Sequence, residues 1–279
     1  MSSWLSALSV LACALVGLSV GSFIGAAADR LPRHLSLWRP GSRCDWCGHP
    51  LRWPELIPVV SYLRQRGRCT ACCAPIGRRT LCVEIATGAL FALLGWLYGP
   101  SIRSVLYCAY AGVLILVYVI DVEHHLVLSV VILPAILLGL LALPLQLLIA
   151  PAPPLYVEWL GPLLSGTRLS PPQIAMLSQV LGLVSGFAIF WLIWFAYPAG
   201  MGYGDVRLAA FVGLIAGFPG AIWTLFGGIV LGGATAVALV VRHGKRALKR
   251  YIAFAPFLVI AALVMLLFGD AIVSWYLAS

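Results

Sequence analysis

The chain has 279 residues, of which 62% are hydrophobic and only 10% are charged, and its formal net charge at pH 7 is +9. Soluble domains carry roughly a quarter charged residues, so this composition excludes an ordinary soluble domain. It also excludes disorder, collagen and coiled coils, which need polar or periodic sequence. The remaining class is an all-α polytopic membrane protein, and we expect one membrane bundle with an inserted loop domain.

Eight apolar runs are candidates for transmembrane helices, each of which needs about 20 residues. They are Trp4–Ala28, Leu81–Gly99, Arg103–Ile120, Leu126–Ala150, Ile174–Tyr197, Val206–Gly217, Ala221–Val241 and Tyr251–Leu277. The first run lacks a basic start and a clear cleavage site, so we interpret it as a span and not as a secretory signal. The sixth run is only about 18 Å long at helical rise, so a re-entrant segment is the alternative there.

Basic residues are concentrated in two loops. Ten of the 18 Lys and Arg residues lie between Arg30 and Arg79, and five lie between Arg242 and Arg250. The positive-inside rule places both loops in the cytoplasm, which requires six crossings between them and eight spans in total. The loop Pro151–Pro172, with one basic residue, is then external. We expect no nucleic-acid partner, because no recognition motif accompanies the basic clusters.

The spans and loops predict three segments. Residues 1–28 form a first transmembrane segment, residues 29–80 a cytoplasmic Cys-rich loop, and residues 81–279 a seven-span catalytic membrane domain. This organisation predicts a multi-pass protein of the inner (plasma) membrane that contacts membrane lipid.

The first basic loop contains two Cys-x-x-Cys pairs, Cys44 with Cys47 and Cys69 with Cys72. Four thiolates in two such pairs are the ligand set of a closed tetrahedral zinc site. Disulfides are disfavoured in a reducing cytoplasmic loop. Because a closed site leaves no open coordination position, the predicted zinc ion is structural. Cys73 is an alternative to Cys72 as the fourth ligand.

Two aspartates lie at the ends of predicted spans. Asp121 ends the third span, Asp205 precedes the sixth, and span parity places both at the cytoplasmic boundary. Acids beside a bilayer are costly and are therefore functional candidates. Two close carboxyl groups share a proton, so that one acts as acid while the other activates water, as in aspartic proteases. The structural alternatives are a solvated boundary residue for Asp121 and an N-cap before Val206 for Asp205.

Other residues are predicted to support this pair. Gly202 and Gly204 belong to the run Gly200-Met201-Gly202-Tyr203-Gly204-Asp205, in which alternate glycines allow close backbone approach. We interpret Glu84, near the start of the second span, as a structural residue or as a support for the acid pair; it could face the bundle interior and pair with Arg78 or Arg79. Glu123, His124 and His125 follow Asp121 and are expected to be polar residues of a short cytoplasmic turn. The alternative is that Glu123 and His125 bind a metal ion or support the acid pair.

These motifs resemble the type IV prepilin peptidases, bifunctional enzymes of pilus and type II secretion systems. The segment Gly21–Pro32 is similar to the family pattern GSFxNVxxxRLP, and the resemblance continues through both cysteine pairs, Val83-Glu84, Ile120-Asp121 and Gly200–Ala210. It implies an aspartic endopeptidase that cleaves the leader of type IV prepilins or pseudopilins on the cytoplasmic side. It also implies N-methylation of the new N terminus, with S-adenosylmethionine as the methyl donor.

The resemblance also assigns roles by motif position. It makes Asp121 and Asp205 the catalytic pair, the latter in the GxGD motif shared with presenilin-like proteases, and makes Cys44, Cys47, Cys69 and Cys72 the metal ligands. Arg207 stands where the family frequently has lysine, and Gly25 where it commonly has asparagine. No Gly-rich loop marks a site for S-adenosylmethionine.

Two rival functions use the same residues differently. A membrane transporter would use Asp121 and Asp205 as proton or cation sites. A scaffold subunit of a secretion machine would keep them for structure alone.

Overall fold

The computed structural model describes residues 3–39, 41–149, 169–198, 200–243 and 253–278. Its helices are α1 (Ser3–Arg30), α2 (Val60–Arg64), α3 (Arg78–Tyr98), α4 (Ile102–His124), α5 (Ser129–Ile149), α6 (Pro171–Ala196), α7 (Tyr203–Ala216), α8 (Gly220–His243) and α9 (Ala255–Ala278). Within these ranges there is no extended strand, only two isolated bridges and one 3-10 turn. Most of the predicted external loop Pro151–Pro172 and of the basic cluster Arg242–Arg250 lies outside the described residues, as do the predicted span ends Ala150 and Tyr251.

A helix occupies each of the eight predicted spans, although α7 is short. Judged on the described residues, six of them are long and apolar enough to cross a membrane: α1, α3, α4, α6, α8 and α9. The other two are the apolar helix α5 and the 14-residue helix α7. At about 21 Å, α7 is shorter than the roughly 30 Å of a bilayer core. The predicted all-α polytopic class is confirmed.

The described chain forms two compact units, Met1–Ile120 and Asp121–Ser279. In the first unit, α1 and α3 pack with their backbones close together. A Cβ atom built on Gly21 would lie 2.7 Å from the Glu84 Cα atom, and one on Gly17 would lie 2.8 Å from the Phe91 Cβ atom. This close packing brings the end of α1 beside the start of α3, with the cysteine loop connecting them. The three-segment division of the chain stays a prediction.

In the second unit, α7 is the central helix and packs against α5, α6, α8 and α9. From Asp205 to Ala216 every residue of α7 except Arg207 is buried. A helix that is apolar on all sides must be enclosed by its neighbours. Its closest neighbour is α6, where Gly182 meets the backbone of Gly213 and Gly186 meets that of Ala209.

Two helix ends differ from the prediction. α4 continues to His124, so Asp121 lies in its last turn, and Glu123 and His124 are helical and do not form a turn. α7 begins at Tyr203 with Gly202 as its N-cap, so the structural alternative for Asp205, an N-cap role, is wrong. α4 ends later and α7 begins earlier than the apolar runs that predicted them. Hydropathy does not mark these ends, because backbone hydrogen bonds continue a helix regardless of side-chain polarity.

Candidate active site and metal centre

Asp205 lies in the first turn of α7 and is only 7% exposed. Its backbone N–H group donates to the Gly202 carbonyl oxygen at 3.0 Å. The N-terminal turn of a helix stabilises a negative charge, because its N–H groups point toward the terminus. The start of α7 therefore places a carboxyl group in a buried but electrostatically favourable position.

Asp121 is also buried, with 4% of its surface exposed. Its Oδ2 atom has no hydrogen-bond partner among the residues that the structure describes. The Asp121 and Asp205 carboxyl groups are close enough to interact electrostatically, and His125 also acts on Asp121. The structure thus brings the two sequence-predicted acids together. An unpaired buried oxygen beside a second carboxyl group is suited to accepting a hydrogen bond from water or, when protonated, to donating one to a substrate carbonyl oxygen.

Gly204 explains how the two acids meet. A Cβ atom at this position would lie 2.7 Å from the Val127 Cβ atom and 3.0 Å from the Val127 carbonyl oxygen. The chain reaches Val127 through His125, which has a positive φ of 53° and whose N–H group donates to the Asp121 carbonyl oxygen at 2.9 Å. Only a residue without a side chain lets the start of α7 lie against the segment that follows Asp121.

Gly202 has more space than Gly204. A Cβ atom built on Gly202 would meet the Asp205 Oδ2 atom at 3.7 Å, an ordinary van der Waals distance. Its φ of −73° and ψ of 141° are accessible to any residue. The two glycines of the motif therefore have different physical roles.

Arg207 is held in place by aromatic rings. Its guanidinium carbon lies 4.7 Å from the centre of the Tyr203 ring, and Tyr203 in turn makes an edge contact with Trp194 at 5.2 Å. Sequence analysis singled out Arg207 but missed both aromatic residues. The four-residue spacing of Tyr203 and Arg207 on one helix was a usable signal, whereas Trp194 comes from a different helix.

The four predicted metal ligands form one cluster in the first unit. The Sγ atoms of Cys44, Cys47, Cys69 and Cys72 all lie within 4.8 Å of one another. The Cys44 and Cys72 sulfur atoms are 3.8 Å apart. That matches the edge of about 3.8 Å expected for a tetrahedron with Zn–S bonds of about 2.3 Å. The donor set and its spacing therefore fit a tetrahedral metal ion.

Two similar knuckles build this cluster. The first is closed by the Arg43–Pro50 bridge and the second by the Arg68–Pro75 bridge. The first turns at Gly48, with a φ of 70°, and the second at Cys73, with a φ of 58°. Cys73 therefore occupies the turn position that Gly48 fills in the first knuckle, and the clustered thiol is Cys72.

Backbone groups favour the metal-binding form of one of the four thiols, Cys44, whereas burial and the neighbouring cysteines raise the pKa of the Cys72 thiol to about 12. Backbone N–H groups of Cys47 and Trp46 hydrogen-bond the Cys44 sulfur and lower the pKa of the Cys44 thiol to about 7. A lower thiol pKa favours the thiolate form, which is the form that binds metal ions.

Glu55 connects the 3-10 turn to the second knuckle and was missed by sequence analysis. It accepts hydrogen bonds from the Thr70 hydroxyl group and from the Arg52 N–H group. These bonds, the Thr70 bond first, lower the pKa of the Glu55 carboxyl group. An isolated glutamate in a polar loop carries no sequence signal for such a role.

Glu84 is buried, and its Oε2 atom accepts a hydrogen bond of 2.7 Å from the Val59 N–H group. The predicted ion pair with Arg78 or Arg79 is wrong. Arg79 instead pairs with Asp29 at 2.6 Å and donates to the Gly25 carbonyl oxygen at 3.2 Å. The loop brings a backbone donor to Glu84 from 25 positions away, which a local sequence pattern does not indicate.

Comparison with known proteins decides the family. Residues 108–237 match the model of the Type IV leader peptidase family, and residues 15–98 match the Bacterial Peptidase A24 N-terminal domain. A protein of Stutzerimonas stutzeri is 30% identical to this chain, over 97% of this chain and 94% of its own length. This chain belongs to the type IV leader peptidase family.

Other members of the family match along nearly their full length. Proteins of Pseudomonas aeruginosa (30% identical; 96% of this chain and 93% of theirs) and of Bacillus subtilis (29%; 94% and 96%) are similar to it. All three relatives are named prepilin leader peptidase/N-methyltransferase. No solved structure matches the chain. The resemblance predicted from the sequence is confirmed: the protein is a membrane peptidase of this family.

Proposed function

We propose that this protein removes the leader of type IV prepilins or pseudopilins and then N-methylates the new N terminus. The names of its relatives support the substrate class and both steps. The observation that carries the peptidase step is the buried pair of interacting carboxyl groups, Asp121 and Asp205, with one oxygen left unpaired.

In the proposed peptidase step the pair shares one proton. The ionised carboxylate takes a proton from a water molecule, whose oxygen attacks the carbonyl carbon of the scissile peptide bond. The protonated carboxyl group donates its proton to the carbonyl oxygen. The tetrahedral intermediate then collapses and the C–N bond breaks. The amine leaves with a proton from one carboxyl group, while the other carboxylate takes a proton from a hydroxyl group of the intermediate, so the pair again holds one proton. No covalent enzyme intermediate is needed.

The proposed methylation uses the amine that cleavage releases. When bound, S-adenosylmethionine would supply an electrophilic methyl group. The amine nitrogen would gain this group as the S–CH3 bond breaks, S-adenosylhomocysteine would leave, and the nitrogen would lose one proton. The enzyme must bind the donor and leave the amine uncharged before transfer. Retention of the new N terminus on the same enzyme would make the two steps consecutive.

We assign a structural zinc ion to Cys44, Cys47, Cys69 and Cys72. The ion would tie the two knuckles of the loop together, because two of its ligands come from each. A site with four protein ligands has no open position for substrate, so no catalytic step passes through it.

We place the active site on the cytoplasmic side. The support is the basic residue cluster between Arg30 and Arg79, under the positive-inside rule. Helix α7 is short and begins at the acids, which supports access of water to Asp205 from that side.

The test is co-expression with a prepilin, followed by intact-mass measurement of the pilin. The expected product lacks the leader and carries one additional methyl group. Failure to process any of several prepilins would contradict the proposal and favour the transporter or scaffold function. Cleavage without methylation would contradict only the second step.

A further inference from the structure

A cavity of about 460 Å³ lies in the first unit, between the end of α1, the start of α3 and the cysteine loop. Neither the acid pair nor the proposed metal ion occupies it, although Cys44 and Cys69 form part of its wall. Small-molecule sites commonly have volumes of about 300–1,000 Å³. The cavity is therefore large enough for a ligand of cofactor size.

Four arginines and four acidic residues line this cavity. Arg79 and Asp29 pair with each other, and Glu55 accepts hydrogen bonds from Thr70 and Arg52, so these three charges are satisfied within the protein. Arg30 donates to the carbonyl oxygens of Leu37 and Gly41, so its guanidinium group is engaged within the protein. The Arg33 and Arg43 side chains, in contrast, make no hydrogen bond or ion pair with any residue that the structure describes. Both are exposed, which places two available guanidinium groups at the open side of the cavity.

Glu84 supplies the opposite charge from the buried side. It is 5% exposed, and its Oε2 atom is held by the Val59 N–H group. Its Oε1 atom makes no hydrogen bond within the described ranges of the chain. This oxygen is not fully buried, so a cationic partner that enters the cavity can reach it.

This charge pattern selects the ligand class. A lipid phosphate would suit the arginines but would be repelled by Glu84, and a basic leader peptide would be repelled by the arginines. A ligand that carries a carboxylate and a cationic centre at different positions satisfies both. The aromatic side chains of Trp46 and Tyr62 also line the cavity and offer flat faces for a heteroaromatic ring.

We propose that this cavity binds S-adenosylmethionine, an inference that rests on the proposed N-methyltransferase function. Arg33 and Arg43 would bind the carboxylate, and Trp46 and Tyr62 would contact the adenine ring. The ammonium group shares a carbon atom with the carboxylate, and the Asp45 carboxylate, which also lines the cavity, would bind it. The sulfonium group lies farther along the ligand and is the cation that reaches Glu84.

Gly25 provides a steric probe of the same cavity. It lies in the cavity wall, and a Cβ atom there would meet only the Thr80 Cγ2 atom, at 3.9 Å. A small side chain is therefore accommodated by the helices, and a longer one must extend into the cavity. Gly25→Leu is the filling variant, and alanine at the same position is its matched control.

The experiment measures equilibrium binding of radiolabelled S-adenosylmethionine to the purified full-length protein, with S-adenosylhomocysteine as competitor. The competitor has the same carboxylate, ammonium group and adenine but a neutral sulfur. Glu84→Gln keeps an oxygen acceptor for the Val59 N–H group and removes the charge. We expect it to weaken S-adenosylmethionine binding about tenfold and S-adenosylhomocysteine binding less than about threefold, since tenfold corresponds to loss of one charge-assisted contact.

The other variants have different signatures. Arg43→Gln should weaken the binding of both ligands equally, by about tenfold. Arg64→Gln changes an exposed arginine outside the cavity and should leave both affinities unchanged. Gly25→Leu should abolish binding of both ligands, and Gly25→Ala should retain it. Metal content and prepilin cleavage are measured on the same samples, which separates loss of fold from loss of the ligand.

Several results would overturn the proposal. If Glu84→Gln, Arg43→Gln and Gly25→Leu all bind S-adenosylmethionine with wild-type affinity and the pilin is still methylated, the methyl donor binds elsewhere. The proposed function would then remain intact. Equal weakening of both ligands in Glu84→Gln would remove the sulfonium assignment. No binding of either ligand by the wild type would reject both the cavity site and the methylation step, while cleavage would test the peptidase step separately.

Discussion

The contact between Gly204 and Val127 makes a sharp prediction about the GxGD motif. In Gly204→Ala the new methyl carbon would lie 2.7 Å from the Val127 Cβ atom. Carbon atoms in contact are best separated by about 3.5–4.0 Å, so the two segments must move apart by roughly 1 Å. Alanine itself is favoured over glycine within a helix, so the backbone of α7 does not oppose the change.

The expected loss of activity follows from that displacement. Asp205 is the next residue after Gly204, and Val127 follows Asp121 closely, so the movement separates the two acids. A misplacement of about 1 Å at an active site costs about 100-fold in rate. Overpacking of this kind also costs about 1–3 kcal/mol of stability. We therefore expect kcat for leader cleavage to fall about 100-fold, with a smaller change in KM.

Gly202→Ala is the matched control. Its methyl group would meet the Asp205 Oδ2 atom at 3.7 Å, which requires no movement. We expect its kcat to stay within about threefold of the wild type. In addition, Val127→Gly removes the colliding Cβ atom and should restore part of the activity of Gly204→Ala, as a double-mutant cycle would measure.

The assay is steady-state cleavage of a purified prepilin in detergent, with protein stability followed in parallel. Wild-type kcat in Gly204→Ala would refute the reasoning. Equal losses in Gly202→Ala and Gly204→Ala would refute it as well, because they would show that the Val127 contact is not the cause.

Three further predictions concern other parts of the structure. Cys44→Ser and Cys72→Ser should each lose bound zinc by elemental analysis, whereas Cys73→Ser should retain it; a metal-free wild type would contradict the site. Gly182→Val places a side chain against the Gly213 carbonyl group and should lower the Tm by about 5 °C, because overpacking costs about 2 kcal/mol. Gly233→Ala, at an open position, should leave the Tm unchanged. Equal melting temperatures of the two variants would argue against tight α6–α7 packing. Gly202→Cys should react with a membrane-impermeant maleimide from the cytoplasmic side, and complete protection would contradict water access to the start of α7.

The sequence predicted the helices well because the membrane imposes a simple requirement. A segment without water must satisfy its own backbone hydrogen bonds and expose apolar side chains, so long apolar runs indicate helices directly. The ends were less accurate. Asp121 was expected to end a span, but α4 continues three residues further, since hydropathy marks the membrane boundary and not the end of the helix.

The candidate site was predicted only in part, for a related reason. Residue type and membrane side were enough to pair Asp121 with Asp205 and to group the four cysteines. The partners of Glu84 and Arg207 were not predictable, because Val59 and Trp194 come from other segments of the chain. The different roles of Gly202 and Gly204 likewise depend on which atoms lie opposite them, and the motif alone does not contain that information.

Prepilin cleavage by the two asparagine variants tests the central proposal most directly. Asp121→Asn and Asp205→Asn change each carboxyl group to an amide of nearly the same size, and Asp270→Asn, in α9, is the control for an acid elsewhere in the membrane helices. With all proteins purified from membranes in the folded state, we expect cleavage to be lost in the first two variants and retained in the third. Cleavage that survives either Asp121→Asn or Asp205→Asn would contradict the two-acid mechanism.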